Sequence, residues 1–411
     1  MTNLGGKTYT YTGRNEAGKL VKGRLDAVSE GSVVAKLRLM SVSPIRIDEL
    51  GRATGLNREL SIGNFGKNVD LKDLSVMSRQ MSTMIGAGLS LIRTLGILAD
   101  QTENRELARI LRIVGGEVGR GLSLSEALSK HPIVFPPLMI HLIRAGEAGG
   151  FLDSALDGIA SNFEADVKLR DTIKSALAYP LIVLVMAIIS VIGMLIFVVP
   201  IFEKMFKDLG GQLPVPTLIL IALSKSMIWL GPLIAIAAVA FMLWWRVNKN
   251  TERVRSVVDP LKLKIPVFGM LFTKVAVARF SRNFATMMGA GVPILQALGI
   301  VGDTAGSYVI EKALRKVQDS VRQGKSVAAP LALEPVFPSM VVQMIAVGED
   351  SGTMETMLNK IAEFYEAEVD STTKALTSLI EPLMIAFIGV VIGGMIVALY
   401  LPVFTIFDQI H

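Results

Sequence analysis

Residues 78–91 read SRQMSTMIGAGLSL, and residues 281–294 read SRNFATMMGAGVPI. The anchors Arg79, Thr83, Met84, Gly86 and Gly88 return as Arg282, Thr286, Met287, Gly289 and Gly291. The likeness continues outward from this stretch. Leu95-Gly96-Ile97 returns as Leu298-Gly299-Ile300, Phe135-Pro136 as Phe337-Pro338, and Gly146-Glu147 as Gly348-Glu349. Tyr179-Pro180 is matched by Glu381-Pro382, and Pro200-x-Phe202 by Pro402-x-Phe404. Repeats of this length are duplicated domains rather than units of a short-period solenoid.

Composition sets the environment. Of 411 residues, 51% are hydrophobic and only 19% charged, and the mean hydropathy is +0.51. That balance belongs to a membrane protein. No cysteine is present, so disulfide and thiolate chemistry are excluded. The net charge of +6 fits cytoplasmic loops facing anionic lipid, and no nucleic-acid partner is expected. The opening MTNLGGKTYTY lacks a basic start followed by an apolar core, so insertion is expected through internal spans.

Residues 1–50 read as a small α+β unit. Lys7–Thr12 and Leu20–Ala27 alternate like strands around a turn at Gly13–Gly18, a short helix follows to Met40, and Pro44–Ile47 reads as a third strand. Residues 51–70 predict a linker. From Leu71 the apolar period becomes helical, with Leu74, Met77, Met81, Met84 and Ile85 on one face. A first cytoplasmic bundle of about six helices is expected over 71–176, with a capping box at Ser123-x-x-Glu126.

Leu181–Val199 carries no charge and is long enough to cross the hydrocarbon core. Three spans are expected, at 177–200, 226–245 and 378–401. The segment 201–225 reads as a short extracytoplasmic loop, with Lys225 snorkelling at its boundary. A second cytoplasmic bundle follows at 246–377, and 402–411 is an extracytoplasmic tail. Arg246, Lys249, Arg253, Arg255, Lys262 and Lys264 outweigh Glu252 and Asp259, and Lys168, Arg170 and Lys174 precede span one. Both flanks are therefore read as cytoplasmic. Span two has no counterpart in the duplication. The fold class is an all-α integral membrane protein with two homologous cytoplasmic bundles, three transmembrane helices and the small N-terminal unit.

Several constellations carry two readings. The turns at Glu147 and Glu349 place a carboxylate near the next helix N-terminus, which the macrodipole favours. The sharper reading is a divalent cation at Glu147 or a contact for a basic partner, although one carboxylate per turn supplies few oxygens. Gly389-x-x-x-Gly393 lets helices approach closely, within the chain or between copies. Glu381 at the inner edge of span three suits a boundary or partner contact ahead of proton transfer. The acidic run Glu349, Asp350, Glu355, Glu363, Glu366, Glu368 and Asp370 is a solvated face or a dock for a basic partner. His131, His141 and His411 make no metal-ligand spacing, and phosphate-binding and nucleophile motifs are missing. No enzyme activity and no cofactor are expected.

With these motifs in order, the chain resembles the type II secretion system F protein family, which includes the assembly platform of type IV pili. Tyr9-Thr10-Tyr11, Gly18-Lys19-x-x-Lys22-Gly23, Leu37-Arg38 and Pro44 are similar to that family's opening segment. The resemblance implies an oligomeric platform in the cytoplasmic membrane, with a dimer as the expected state. It implies partners: a hexameric secretion ATPase, pilin or pseudopilin subunits, other inner-membrane assembly proteins and membrane lipid. A transporter or channel subunit is the alternative. Three mostly uninterrupted spans repeated in one orientation argue against it.

Overall fold

The computed structural model describes residues 7–15, 20–27, 30–40, 42–49, 69–208, 213–266 and 268–409. The chain divides into two compact units, Met1–Gly66 and Lys67–His411. The first unit holds β1 (Lys7–Asn15), β2 (Leu20–Ala27), α1 (Glu30–Leu39) and β3 (Val42–Glu49). The sheet order is β2-β1-β3, antiparallel throughout. Pro44 lies in an edge strand, the position that tolerates a residue without an N–H. β1 continues to Asn15 where a turn from Gly13 was expected, and β3 is longer than expected at both ends. The rest of that turn, at 16–19, the linker up to 68, and His411 lie outside the described residues.

The second unit is helical. The first repeat folds as α2 (Leu71–Gly86), α3 (Leu91–Gln101), α4 (Arg105–Gly119), α5 (Leu124–Ser129), α6 (Pro137–Gly149) and α7 (Leu152–Gly193). A π-helical segment, Met194–Val198, joins α7 to α8 (Val199–Asp208). Then come α9 (Val215–Asn248) and α10 (Glu252–Lys264). The second repeat comprises α11 (Phe268–Gly289), α12 (Ile294–Thr304), α13 (Tyr308–Arg322), α14 (Ala328–Leu331), α15 (Ser339–Ser351) and α16 (Met354–Gln409).

Local chemistry sets the helix ends. Asp70 and Asp73 form a reciprocal capping box at the start of α2. Asn104 accepts from the N–H groups of Glu106 and Leu107 to open α4. Gly88 and Gly291 sit at φ +85° and +66°, left-handed turns that a β-carbon would strain. This explains why both glycines belong to the duplicated stretch. Apolar residues of both repeats join in one continuous core, from Leu74, Phe135 and Leu156 to Phe280, Phe284 and Phe337.

Among the described residues three helices are long and apolar enough to cross a membrane: Leu152–Asp208, Trp229–Asn248 and Met354–Phe404. Spans one and three are therefore not separate elements. Each is the continuation of the last helix of its repeat. The segment 201–225, expected as a loop, is mostly helix: α8 reaches Asp208 and α9 starts at Val215. Its apolar residues Ile201, Phe202, Met205 and Phe206 recur at helical spacing, and Phe206 is buried. Lys225, at the end of this segment, has a partner within the chain. Its Nζ lies 2.8 Å from Glu203, which also pairs with Lys207 at 2.7 Å.

The unduplicated α9 bonds to both duplicated spans. Proline inside a helix leaves the carbonyl four residues earlier without its backbone donor. Pro402 does this to Ala398, and the Thr217 hydroxyl of α9 donates to the Ala398 carbonyl at 2.6 Å. In the π-helical segment the Val199 N–H donates to Met194, and the next nitrogen belongs to Pro200. The Leu195 carbonyl thus has neither neighbour as donor, and the Ser224 hydroxyl donates to it. Thr217 and Ser224 are seven residues apart, two turns along one face. Around them Leu195, Val199, Leu220, Ile221, Met395 and Leu399 form a second apolar cluster. A third case lies nearer the main core. Pro180 frees the Ala176 carbonyl, and the Thr377 hydroxyl approaches it at 3.4 Å.

Thr217→Val should therefore destabilise the full chain in detergent by about 0.5–2 kcal/mol, read as a lower apparent melting temperature. Pro402→Ala restores an amide donor to Ala398, so the same substitution should cost much less in that background. Equal losses in both backgrounds would contradict the assignment.

Candidate functional site

Glu147 lies on α6, three residues before the left-handed C-cap Gly150 at φ +74°. Its carboxylate accepts from the Leu124 N–H and, at 3.1 Å, from the Ser125 N–H. These are two of the unpaired donors at the start of α5. Glu349 repeats the arrangement on α15, accepting from Val327 at 2.9 Å and Ala328 at 3.3 Å at the start of α14. The carboxylates therefore cap the short helix that precedes them in sequence, not the one that follows as expected. The reason is directional: a helical side chain leans toward its own N-terminus. Of the expected capping box, Ser123 accepts from the Glu126 N–H at 3.2 Å, while Glu147 supplies the larger share. The first glycine of each turn marks a close approach. A β-carbon on Gly146 would lie 2.7 Å from that of Ala155, and one on Gly348 3.0 Å from the Met354 α-carbon.

Arg79 and Arg282, the polar anchors of the duplicated stretch, clamp the first helix of each repeat to its last. Arg79 holds Glu164 in a fork, Nε to Oε1 at 2.6 Å and Nη2 to Oε2 at 2.8 Å, and also reaches Asp157. Hydrogen bonding to Glu164 holds the Arg79 guanidinium above its ordinary pKa. Arg282 holds Glu366 with two 3.0 Å bonds and Asn359 with a third. The fork geometry makes each clamp directional as well as charged.

Between the repeats runs a polar seam. The Asn162 amide donates to the Asn283 side-chain oxygen at 2.9 Å, and Arg279 pairs with Asp166 at 2.6 Å. A cleft beside Asn162 is lined by Asp157, Ser161, Arg282, Glu355 and Asn359. His141 lies on α6. Burial pushes its imidazole below the ordinary value, with Arg144 acting in the same direction and Asp303 of the second repeat opposing.

Most of the acidic run is engaged within the chain. Glu349 is a cap, Glu366 pairs with Arg282, and Glu368 with Lys274 at 2.7 Å. Glu363 and Asp370 pair with Lys360 and Lys374. Among the described residues no group of three His, Asp or Glu is placed to hold a metal ion, and the oxygens of Glu147 already face two N–H groups. Gly389 and Gly393 have open space where a β-carbon would stand, with nothing within 4 Å. The close approach expected within the chain is thus not made there. Glu381 is exposed on α16 and joins neither the Glu147 nor the Glu349 turn. Sequence reasoning passed over Thr217 and Ser224. The signal available was the pair of equivalent prolines, Pro200 and Pro402, each needing a donor from elsewhere.

Comparison with known proteins places this geometry. Residues 77–200 and 280–402 each match the family model described as type II secretion system (T2SS), protein F, and residues 6–48 match that of its N-terminal domain. The type IV pilus assembly protein PilC of Myxococcus xanthus is 40% identical over 403 residues, covering 98% of this chain and 96% of the relative. The Thermus thermophilus protein of the same name is 42% identical, covering 97% and 98%. The type II secretion system protein F of Pseudomonas aeruginosa is 29% identical, covering 97% and 98%. The two family matches are the two repeats.

Glu147→Ala and Glu349→Ala should each lower stability by about 1–3 kcal/mol, because the capped N–H groups stay buried without an acceptor. Limited proteolysis should then cut first near Leu124 or near Val327, respectively. Cleavage patterns unchanged from the parent would contradict the capping role.

Proposed function

This chain belongs to the type II secretion system protein F family, and from that premise we propose that it is a non-enzymatic platform in the cytoplasmic membrane. In this reading it couples a cytoplasmic assembly ATPase to the addition of pilin subunits to a type IV pilus. One observation carries the choice of system. Over nearly the whole chain, identity is 40% and 42% to proteins named for type IV pilus assembly, against 29% to one named for type II secretion.

The geometry supports a mechanical role. α7 and α16 run unbroken from the shared core into the apolar spans. At 1.5 Å per residue they are rods of roughly 60 Å and 85 Å. Force applied to the helices of either repeat reaches the membrane along them. The continuous core and the seam bonds of Asn162 and Asp166 favour two bundles moving as one body rather than as separate levers. The basic segments around Lys168–Lys174 and Arg246–Lys264 support both repeats lying in the cytoplasm, with the C-terminus outside. Gly389 and Gly393, open in the single chain, offer a face for a second copy or for a pilin helix.

Photo-crosslinking in cells tests the reading. Crosslinkers at the exposed Ile133 and Leu333 should capture a hexameric assembly ATPase, and one at Val390 should capture pilin. Capture of unrelated soluble proteins alone would contradict the proposal.

A further inference from the structure

α10 packs on the protein through charged residues as well as through Leu263. Arg255 pairs with Glu311 at 3.0 Å, and Asp259 accepts from the Tyr308 N–H at 3.0 Å. Lys262 pairs with Asp259 at 3.1 Å on the same side. The outward stripe is Arg253, Val257, Leu261 and Lys264, at the i, i+4, i+8, i+11 spacing of one helical face. Val257 is 67% exposed and Leu261 61%. Arg253 and Lys264 make no ion pair among the described residues, nor do Arg246 and Lys249 just before the helix.

An outward apolar pair bracketed by free cations has few uses in water. Its position supplies one. Three residues separate α10 from α9, whose apolar run ends in Trp244, Trp245 and Arg246, the aromatic and cationic markers of a membrane surface. The tether holds α10 within reach of the headgroups.

We propose that α10 is an interfacial anchor that seats Val257 and Leu261 at the acyl boundary and binds anionic phospholipid headgroups through Arg246, Lys249, Arg253 and Lys264. Burial of the apolar pair and attraction to phosphate act together, as in surface-lying amphipathic helices. The cations extend past the apolar centre to the phosphates, the geometry of snorkelling side chains. Docked through Arg255 and Asp259, the helix fixes the second repeat against the membrane beside span two. The inference needs only that α9 enters the bilayer, and stands whether or not the platform reading does.

The chain has no cysteine, so a single introduced thiol reports one place. The full chain carrying Val257→Cys or Leu261→Cys, labelled with an environment-sensitive nitrobenzoxadiazole, is reconstituted in phosphatidylcholine vesicles with or without phosphatidylglycerol. Ile133→Cys is the aqueous control. The proposal expects blue-shifted emission at 257 and 261, quenched by shallow spin-labelled lipid and not by aqueous quencher. The shift should grow with phosphatidylglycerol and shrink in an Arg253→Glu, Lys264→Glu background. Emission like that at 133 would overturn it. So would a blue shift untouched by spin-labelled lipid, which would mean a protein covers the face. A shift indifferent to phosphatidylglycerol would overturn the assignment of anionic headgroups.

Discussion

A carbonyl without a donor is costly in lipid, and the membrane part of this protein is arranged around that constraint. Pro200 and Pro402 are equivalent residues of the two repeats. Each removes a donor from a helix within an apolar run. The replacement comes from α9, whose Thr217 and Ser224 reach the two freed carbonyls from one face. Duplication alone produces two bundles with two spans. The inserted helix, itself long and apolar enough to cross a membrane, ties those spans together.

Outside the apolar spans the same economy recurs in a different currency. Arg79 and Arg282 clamp first helix to last, and Glu147 and Glu349 cap the short helix of each repeat. These side chains come from similar positions of the duplication, and each has a partner within the chain. Each therefore has a role in holding its repeat together. The surfaces that stand open are the outward stripe of α10, the bare face at Gly389 and Gly393, and the exposed Glu381.

Much of this was legible in the sequence. In-phase anchors revealed the duplication, and uncharged apolar runs revealed three spans, because both signals are local and long. What was missed depends on contacts between distant residues. Glu147 is an ordinary helix residue until α5 is packed against α6. Thr217 and Ser224 look like any small polar residues in an apolar helix until the prolines opposite are counted. The 201–225 segment was read as a loop because its charges hide an apolar stripe, and the Lys225–Glu203 pair was missed because the two lie twenty-two residues apart.

Through these hydroxyls α9 holds the two duplicated spans in a fixed relation. Double electron–electron resonance on the reconstituted chain, with spin labels replacing Lys204 on α8 and Phe404 on α16, measures that relation directly. The account predicts one narrow distance distribution, broadened when Thr217→Val and Ser224→Ala are combined. An equally narrow distribution in the combined variant would contradict it, and would mean that apolar packing alone sets the spans.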